Sequence, residues 1–180
     1  MLYSYAQCIK MFGTDKKLKK ALKQKQIYKI EKGVYSDKEY ESELAVISMK
    51  YPNAIFTLNS AFYYYGLTDV IPDFYFLSTS KEVKKIRDKR VKQKYENSDE
   101  FNLGVVKITY NTTEIKIYNK ERMLVELIRN KNKLPFDYYK EILLNYRKII
   151  YNLDIQTIQE YAYALPKTNI VLEALQMEVL

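Results

Sequence analysis

Apolar positions along the chain fall at helical spacing, then at strand spacing, then at helical spacing again. Ala6 and Ile9, together with Leu2 and Tyr5, predict a short first helix that stops at Gly13. Leu18, Ala21 and Leu22 stand at i, i+3 and i+4 and predict a second helix, with Thr14 or Asp15 as its N-cap. Residues 27–35 read as two β-prone runs around Gly33, which can take the left-handed backbone that closes a three-residue hairpin loop. Residues 38–50 predict a helix with Leu44, Val46, Ile47 and Met49 inward, ending before Pro52. Residues 54–57 are strand-like, Asn59 or Ser60 opens a short helix over 61–65, and Gly66 ends it. Further strands are expected at 74–77, 105–110 and 114–118, the last two joined through Asn111-Thr112. From Lys120 onward helical spacing dominates, over 120–131, 136–151, 154–164 and 167–179, with Pro135 and Pro166 as punctuation.

This order predicts an α/β (α+β) chain. Helix, turn, helix and hairpin over residues 1–36 form the skeleton of a winged helix-turn-helix. Residues 37–180 follow as a mixed α/β domain with a helical tail, and no repeat or low-complexity linker separates the two.

Charge sharpens the picture. Residues 1–36 hold nine lysines against Asp15 and Glu31, so they carry +7 of the chain's net +8. A second cluster, Lys81 to Lys94, has eight basic residues against Glu82 and Asp88, and the remainder is acidic. Such concentration is the footprint of a surface for polyanions. At about 100° per residue, Lys16, Lys20 and Lys23 lie opposite the apolar stripe of the second helix, with Lys19 beside them and Lys17 on its other flank. That helix is expected to enter the major groove of double-stranded DNA, while Lys29 and Lys32 of the hairpin reach neighbouring phosphates. The outward face has no Arg or Asn, so affinity should be mainly electrostatic. Within the second cluster Lys84, Lys85, Arg87 and Arg90 are candidates for a secondary nucleic-acid surface, against the plain alternative of a solvated face.

Other residue types narrow the function classes. The chain has no histidine, which removes the usual general base and the commonest metal ligand. Its single cysteine, Cys8, allows neither an internal disulfide nor a cysteine zinc site. No apolar run approaches the roughly 18 residues of a membrane span, and no secretory leader is recognisable. The expectation is a cytoplasmic, non-enzymatic protein without metal or cofactor. One enzymatic reading competes: Pro72-Asp73 upstream and Glu114-Ile115-Lys116 on a strand loosely follow the carboxylate and lysine pattern of metal-dependent nucleases. In a lysine-rich chain that spacing arises often by chance.

Three segments carry a family resemblance. Residues 58–72, LNSAFYYYGLTDVIP, resemble the "S-A-L-x-x-x-G-L-T-x-x-x-P" segment of AbiEi-type antitoxins. Residues 120–128, KERMLVELI, are similar to that family's "E-R-T-L-V-D-L-L", with Met123 in place of the usual Thr. Lys32-Gly33-Val34-Tyr35 resembles its wing ending, "R-G-x-Y". The resemblance implies a winged-helix domain that represses its own toxin–antitoxin operon, at operator DNA with inverted repeats. It also implies a C-terminal domain that counters a nucleotidyltransferase toxin without a stable complex, the type IV arrangement of abortive-infection (phage-resistance) systems. A winged-helix regulator unrelated to any toxin is the alternative.

The motif residues also have structural readings. Ser60 is expected to cap its helix, Gly66 to end it and Asp69 to hold the following turn. Glu121 suits a helix N-terminus, and Arg122 is expected to pair with a carboxylate elsewhere in the domain. Tyr63, Tyr64 and Tyr65 could stack on RNA bases but are read as core filler in a chain with 19 tyrosines.

Overall fold

A computed structural model of the chain describes residues 1–179. It is a mixed α/β structure with two sheets, and its internal contacts divide it into two compact units. The first comprises Met1–Pro52 with Asn111–Glu114, and the second Asn53–Tyr110 with Ile115–Leu180. The boundary expected after Ser36 is therefore displaced, because the helix that follows packs with the N-terminal residues and stays in the first unit.

The first unit opens with strand β1 (Leu2–Ser4), where helical spacing had placed Leu2 in a helix. Ser4 caps α1 (Tyr5–Phe12) in a reciprocal capping box with Gln7, which is why the helix starts there. Gly13, at φ +84°, ends α1 and returns its N–H to Ile9 O at 2.7 Å. Thr14, and not Asp15, then caps α2 (Asp15–Lys23) by accepting from Lys17 N. Strands β2 (Tyr28–Glu31) and β3 (Val34–Ser36) follow, and β3 lies between β1 and β2 in an antiparallel sheet. Gly33 is left-handed, as expected. The loop itself is the two residues Lys32-Gly33, because a register shift between Lys29 and Glu31 absorbs the third. Cys8, Leu18, Ala21, Ile27 and Tyr35 form the buried core, with Tyr3, Ile9, Phe12 and Leu22 packed around it. Ser42 caps α3 (Glu43–Lys50), which starts later than the sequence suggests. Lys50 of α3 reaches Glu31 of the hairpin at 2.7 Å.

The second unit is built on a five-stranded sheet. Its strands are β4 (Ile55–Phe56), β5 (Tyr75–Ser80), β6 (Val91–Glu96), β7 (Val105–Tyr110) and β8 (Thr113–Tyr118), in the order β6-β5-β4-β8-β7. Strand β4 pairs antiparallel with β5 and parallel with β8, and β6 pairs parallel with β5. Asn111 and Thr112 join β7 to β8 with φ of 43° and 68°, the sign pattern of a type I′ hairpin turn. Between strands lie α4 (Leu58–Tyr64) and the short α5 (Ser98–Phe101). The tail is α6 (Lys120–Arg129), α7 (Phe136–Ile149), α8 (Ile155–Ala164) and α9 (Thr168–Ala174), with a final π-helical turn, Leu175–Val179. Asn119 caps α6, its Oδ1 accepting from Arg122 N, and every residue from Arg122 to Ile128 is buried. Among the described residues, no helix is long and apolar enough to cross a membrane.

Candidate nucleic-acid interface

Helix α2 is amphipathic by composition. Leu18 and Ala21 are buried, and Lys16, Lys17, Lys19, Lys20 and Lys23 are all exposed. The apolar side packs on Cys8 of α1 and on Ile27 and Tyr35 of the hairpin region, so two helices and a hairpin share one core. Lys29 and Lys32 are exposed on that hairpin. One expected contact is partly diverted: Lys19 pairs with Asp15 at 2.7 Å, and Tyr5 Oη also donates to Asp15 at 3.3 Å. Hydrogen bonding from Lys19 lowers the Asp15 pKa, so this carboxylate stays charged against the one ammonium it faces. Lys16, Lys20 and Lys23 remain as the outward row.

The second basic cluster lies in the other unit and is split by the fold. Residues 81–90 form the connection between the parallel strands β5 and β6, and residues 91–94 are in β6 itself. Lys84, Lys85 and Arg87 are exposed on the connection. Arg90 departs from expectation: its Nε donates to Asp88 Oδ1 at 2.9 Å and its Nη2 to Oδ2 at 2.7 Å, a bidentate internal pair. Lys94 is half-buried and turns its ammonium towards the interior.

Lys94 belongs to a buried ion network centred on α6. Its Nζ lies 2.5 Å from Glu96 Oε1 and 2.7 Å from Glu126 Oε2. Arg122 Nε and Nη2 donate to Glu126 Oε1 at 3.1 and 2.9 Å, and Arg129 Nη1 donates to the same oxygen at 2.7 Å. Arg122 also donates to Glu100 O at 3.0 Å and stacks its guanidinium 4.8 Å from the Tyr118 ring centroid. Burial alone would push the Glu126 carboxyl up, but Lys94, Arg129 and Arg122 outweigh it and bring its pKa down to about 2. The carboxylate partner of Arg122 is therefore one helical turn away in the same helix. The i, i+4 spacing of Arg122 and Glu126 inside an otherwise apolar run was the signal for it.

The remaining motif residues do structural work. Ser60 is not a cap, since α4 begins at Leu58. Its Oγ donates to Phe74 O at 3.3 Å and accepts from Phe76 N at 2.9 Å, tying α4 to β5. Gly66 sits at φ +66° after α4, as expected. Thr68, rather than Asp69, holds the next turn by accepting from Val70 N at 3.1 Å. Glu121 stands in the first turn of α6 and accepts from Asp154 N at 3.4 Å. Tyr64 packs 4.7 Å from Tyr110 and 5.5 Å from Phe56, and Tyr65 Oη donates to Tyr118 O, so the tyrosine run is half-buried and packed against other residues of this unit, outside its fully buried core. Asp73 precedes β5 and Lys116 lies on β8, with β4 between those strands. Among the described residues, no group of three or more His, Cys, Asp or Glu is placed to hold a metal ion. No protein-family profile and no curated protein matches the sequence.

Proposed function

We propose that this protein is a DNA-binding transcriptional autorepressor and the antitoxin of a bacterial AbiE-like, type IV toxin–antitoxin pair. The observation that carries the DNA half is the outward lysine row of α2, set on a core shared with a basic hairpin. That arrangement supports reading these elements as a winged helix-turn-helix, in which α2 would enter the major groove and the Lys29 and Lys32 hairpin would meet flanking phosphates. The partner is double-stranded operator DNA of its own operon, expected to carry inverted repeats. The antitoxin half rests on the motif resemblance of residues 58–72 and 120–128. The toxin it would counter is a nucleotidyltransferase that it does not hold in a stable complex, and the work would be done in the cytoplasm without a cofactor or catalysis.

Fluorescence anisotropy with operator duplex tests the first half. If five or six lysines neutralise phosphates, log K should fall with log salt at a slope near about −5, and Lys16→Ala/Lys20→Ala/Lys23→Ala should flatten it by about 3. A slope near zero refutes DNA binding by this face. Co-expression with the nucleotidyltransferase encoded beside it tests the second half. Intact DNA binding without rescue from toxicity would make the protein a winged-helix regulator and not an antitoxin.

A further inference from the structure

The connection between β5 and β6 is short for its task. Parallel neighbours are usually joined by a crossover of a dozen or more residues containing a helix, whereas residues 81–90 cross without one. A basic segment of this kind would ordinarily be a loose, solvated loop. Here it is held in place. The Gln93 carboxamide, on β6, accepts from Ile86 N at 2.7 Å and donates to Lys84 O at 3.4 Å. The same amide nitrogen donates to Thr79 Oγ1 of β5 at 2.7 Å. Both ends are also tied: Val83 N to Ser80 O at 3.1 Å, and Tyr75 N to Arg90 O at 2.7 Å. Ile86 is half-buried as the anchor, and Lys84, Lys85 and Arg87 on either side of it are exposed.

The strand register fixes which face this is. Lys94 and Glu96 point to the buried ion network of α6, so Gln93 and Tyr95, on alternate positions, belong to the opposite face of β6. Tyr95 pairs with Thr79 across the strands and is 41% exposed. The fixed loop and an exposed aromatic ring therefore share one face, and that face lies at an edge of the sheet.

We infer that this face binds single-stranded nucleic acid, with Lys84, Lys85 and Arg87 on its phosphates and the Tyr95 ring under a base. The chemistry argues for a single strand over a duplex. A duplex is read by a helix or a two-stranded ribbon entering a groove, and this segment has neither. A cationic track beside an exposed aromatic ring is the arrangement that meets unstacked bases. Gln93 acts as a positioning residue, because it holds the backbone on both sides of Lys85 without itself carrying charge.

The test uses the full chain and two labelled 12-residue probes, oligouridine and oligothymidine, read by anisotropy. Both should bind with comparable affinity, since no residue here addresses the 2′-hydroxyl. Lys84→Ala/Lys85→Ala/Arg87→Ala should flatten the salt slope by about 2. Tyr95→Ala should weaken binding roughly tenfold while Tyr95→Phe preserves it. Gln93→Ala should weaken binding with all cations still present. Lys16→Ala/Lys20→Ala/Lys23→Ala should leave single-strand binding intact, which separates this surface from the proposed duplex site. The inference is overturned if neither probe binds, if the loop variant binds as the parent does, or if the α2 variant is the one that loses single-strand binding. It is also overturned if the α2 variant prefers a duplex of the same length.

Discussion

Replacing Glu126 with glutamine removes the carboxylate that Arg122, Lys94 and Arg129 all face, while nearly preserving its shape. The Arg122 guanidinium is fully buried and cannot turn to water, so the variant leaves Arg122, Lys94 and Arg129 with Glu96 as their remaining carboxylate, 3.7 Å from Arg122 and 2.5 Å from Lys94, and a net positive charge in the interior. The magnitude can be worked from the pKa. Its fall from 4.5 to about 2 is worth about 3 kcal/mol, close to the roughly 3–5 kcal/mol expected for breaking a buried pair. The sign follows from the direction. A carboxyl depressed in the folded state contributes stability above its unfolded value of 4.5, and that contribution drains away as pH falls towards about 2. Urea unfolding followed by far-ultraviolet circular dichroism should therefore show Glu126→Gln less stable than the parent by about 3 kcal/mol at pH 7. The gap should narrow steadily between pH 4.5 and pH 2. Arg122→Met combined with Glu126→Leu should lose less than Glu126→Gln alone, because it removes both charges and keeps the volume. A difference under about 1 kcal/mol at pH 7, or a gap that does not change with acid, would refute the electrostatic account.

Gly104, at φ +76°, has Asn119 Oδ1 at 2.8 Å and Arg122 Cβ at 2.9 Å from where a Cβ would stand. Gly104→Ala should cost about 2 kcal/mol or more and lower the melting midpoint; an unchanged midpoint would mean that the α6 cap region yields easily. Thr112 is a β-branched residue at φ 68° in the β7–β8 turn, so Thr112→Gly should stabilise by about 1 kcal/mol, and a lowered melting midpoint would contradict the turn assignment. Cys8 is buried and its thiol pKa is raised by that burial, so a disulfide reagent should label it only as urea unfolds the first unit. Rapid labelling of the native protein would show that this core opens.

What the sequence revealed was decided by where local rules and packing agree. The helices of the tail were legible because Leu124, Leu127 and Ile128, and then Ile142, Leu143 and Tyr146, repeat at helical spacing and are buried at it. The Asn111-Thr112 turn and the left-handed Gly33 were legible from turn chemistry alone. Strand β6 was hidden because Val-Lys-Gln-Lys-Tyr-Glu shows no apolar alternation: its inward positions, Lys94 and Glu96, are charged and satisfied by α6. Leu2 was misread because two apolar residues near a helix fit its phase as well as a strand preceding it. Ser60 carried a capping residue's identity, but it lies inside α4, and its hydroxyl bonds the backbone of Phe74 and Phe76 instead of its own helix. The outward lysines of α2 were predicted from phase and are exposed, whereas the pairing of Lys19 and Arg90 with nearby aspartates depended on local backbone geometry.

Helix α6 has consequences for how the chain comes to be folded. It presents buried residues on every side from Arg122 to Ile128, so it has no face that water can satisfy. Three of the helices that cover it, α7, α8 and α9, all come later in the chain. During synthesis α6 therefore leaves the ribosome before most of its shelter exists, carrying apolar surface and an arginine that needs its interior partners. The second unit cannot close until its last helix has been made, and the interval before that is when it most needs protection from association with other chains.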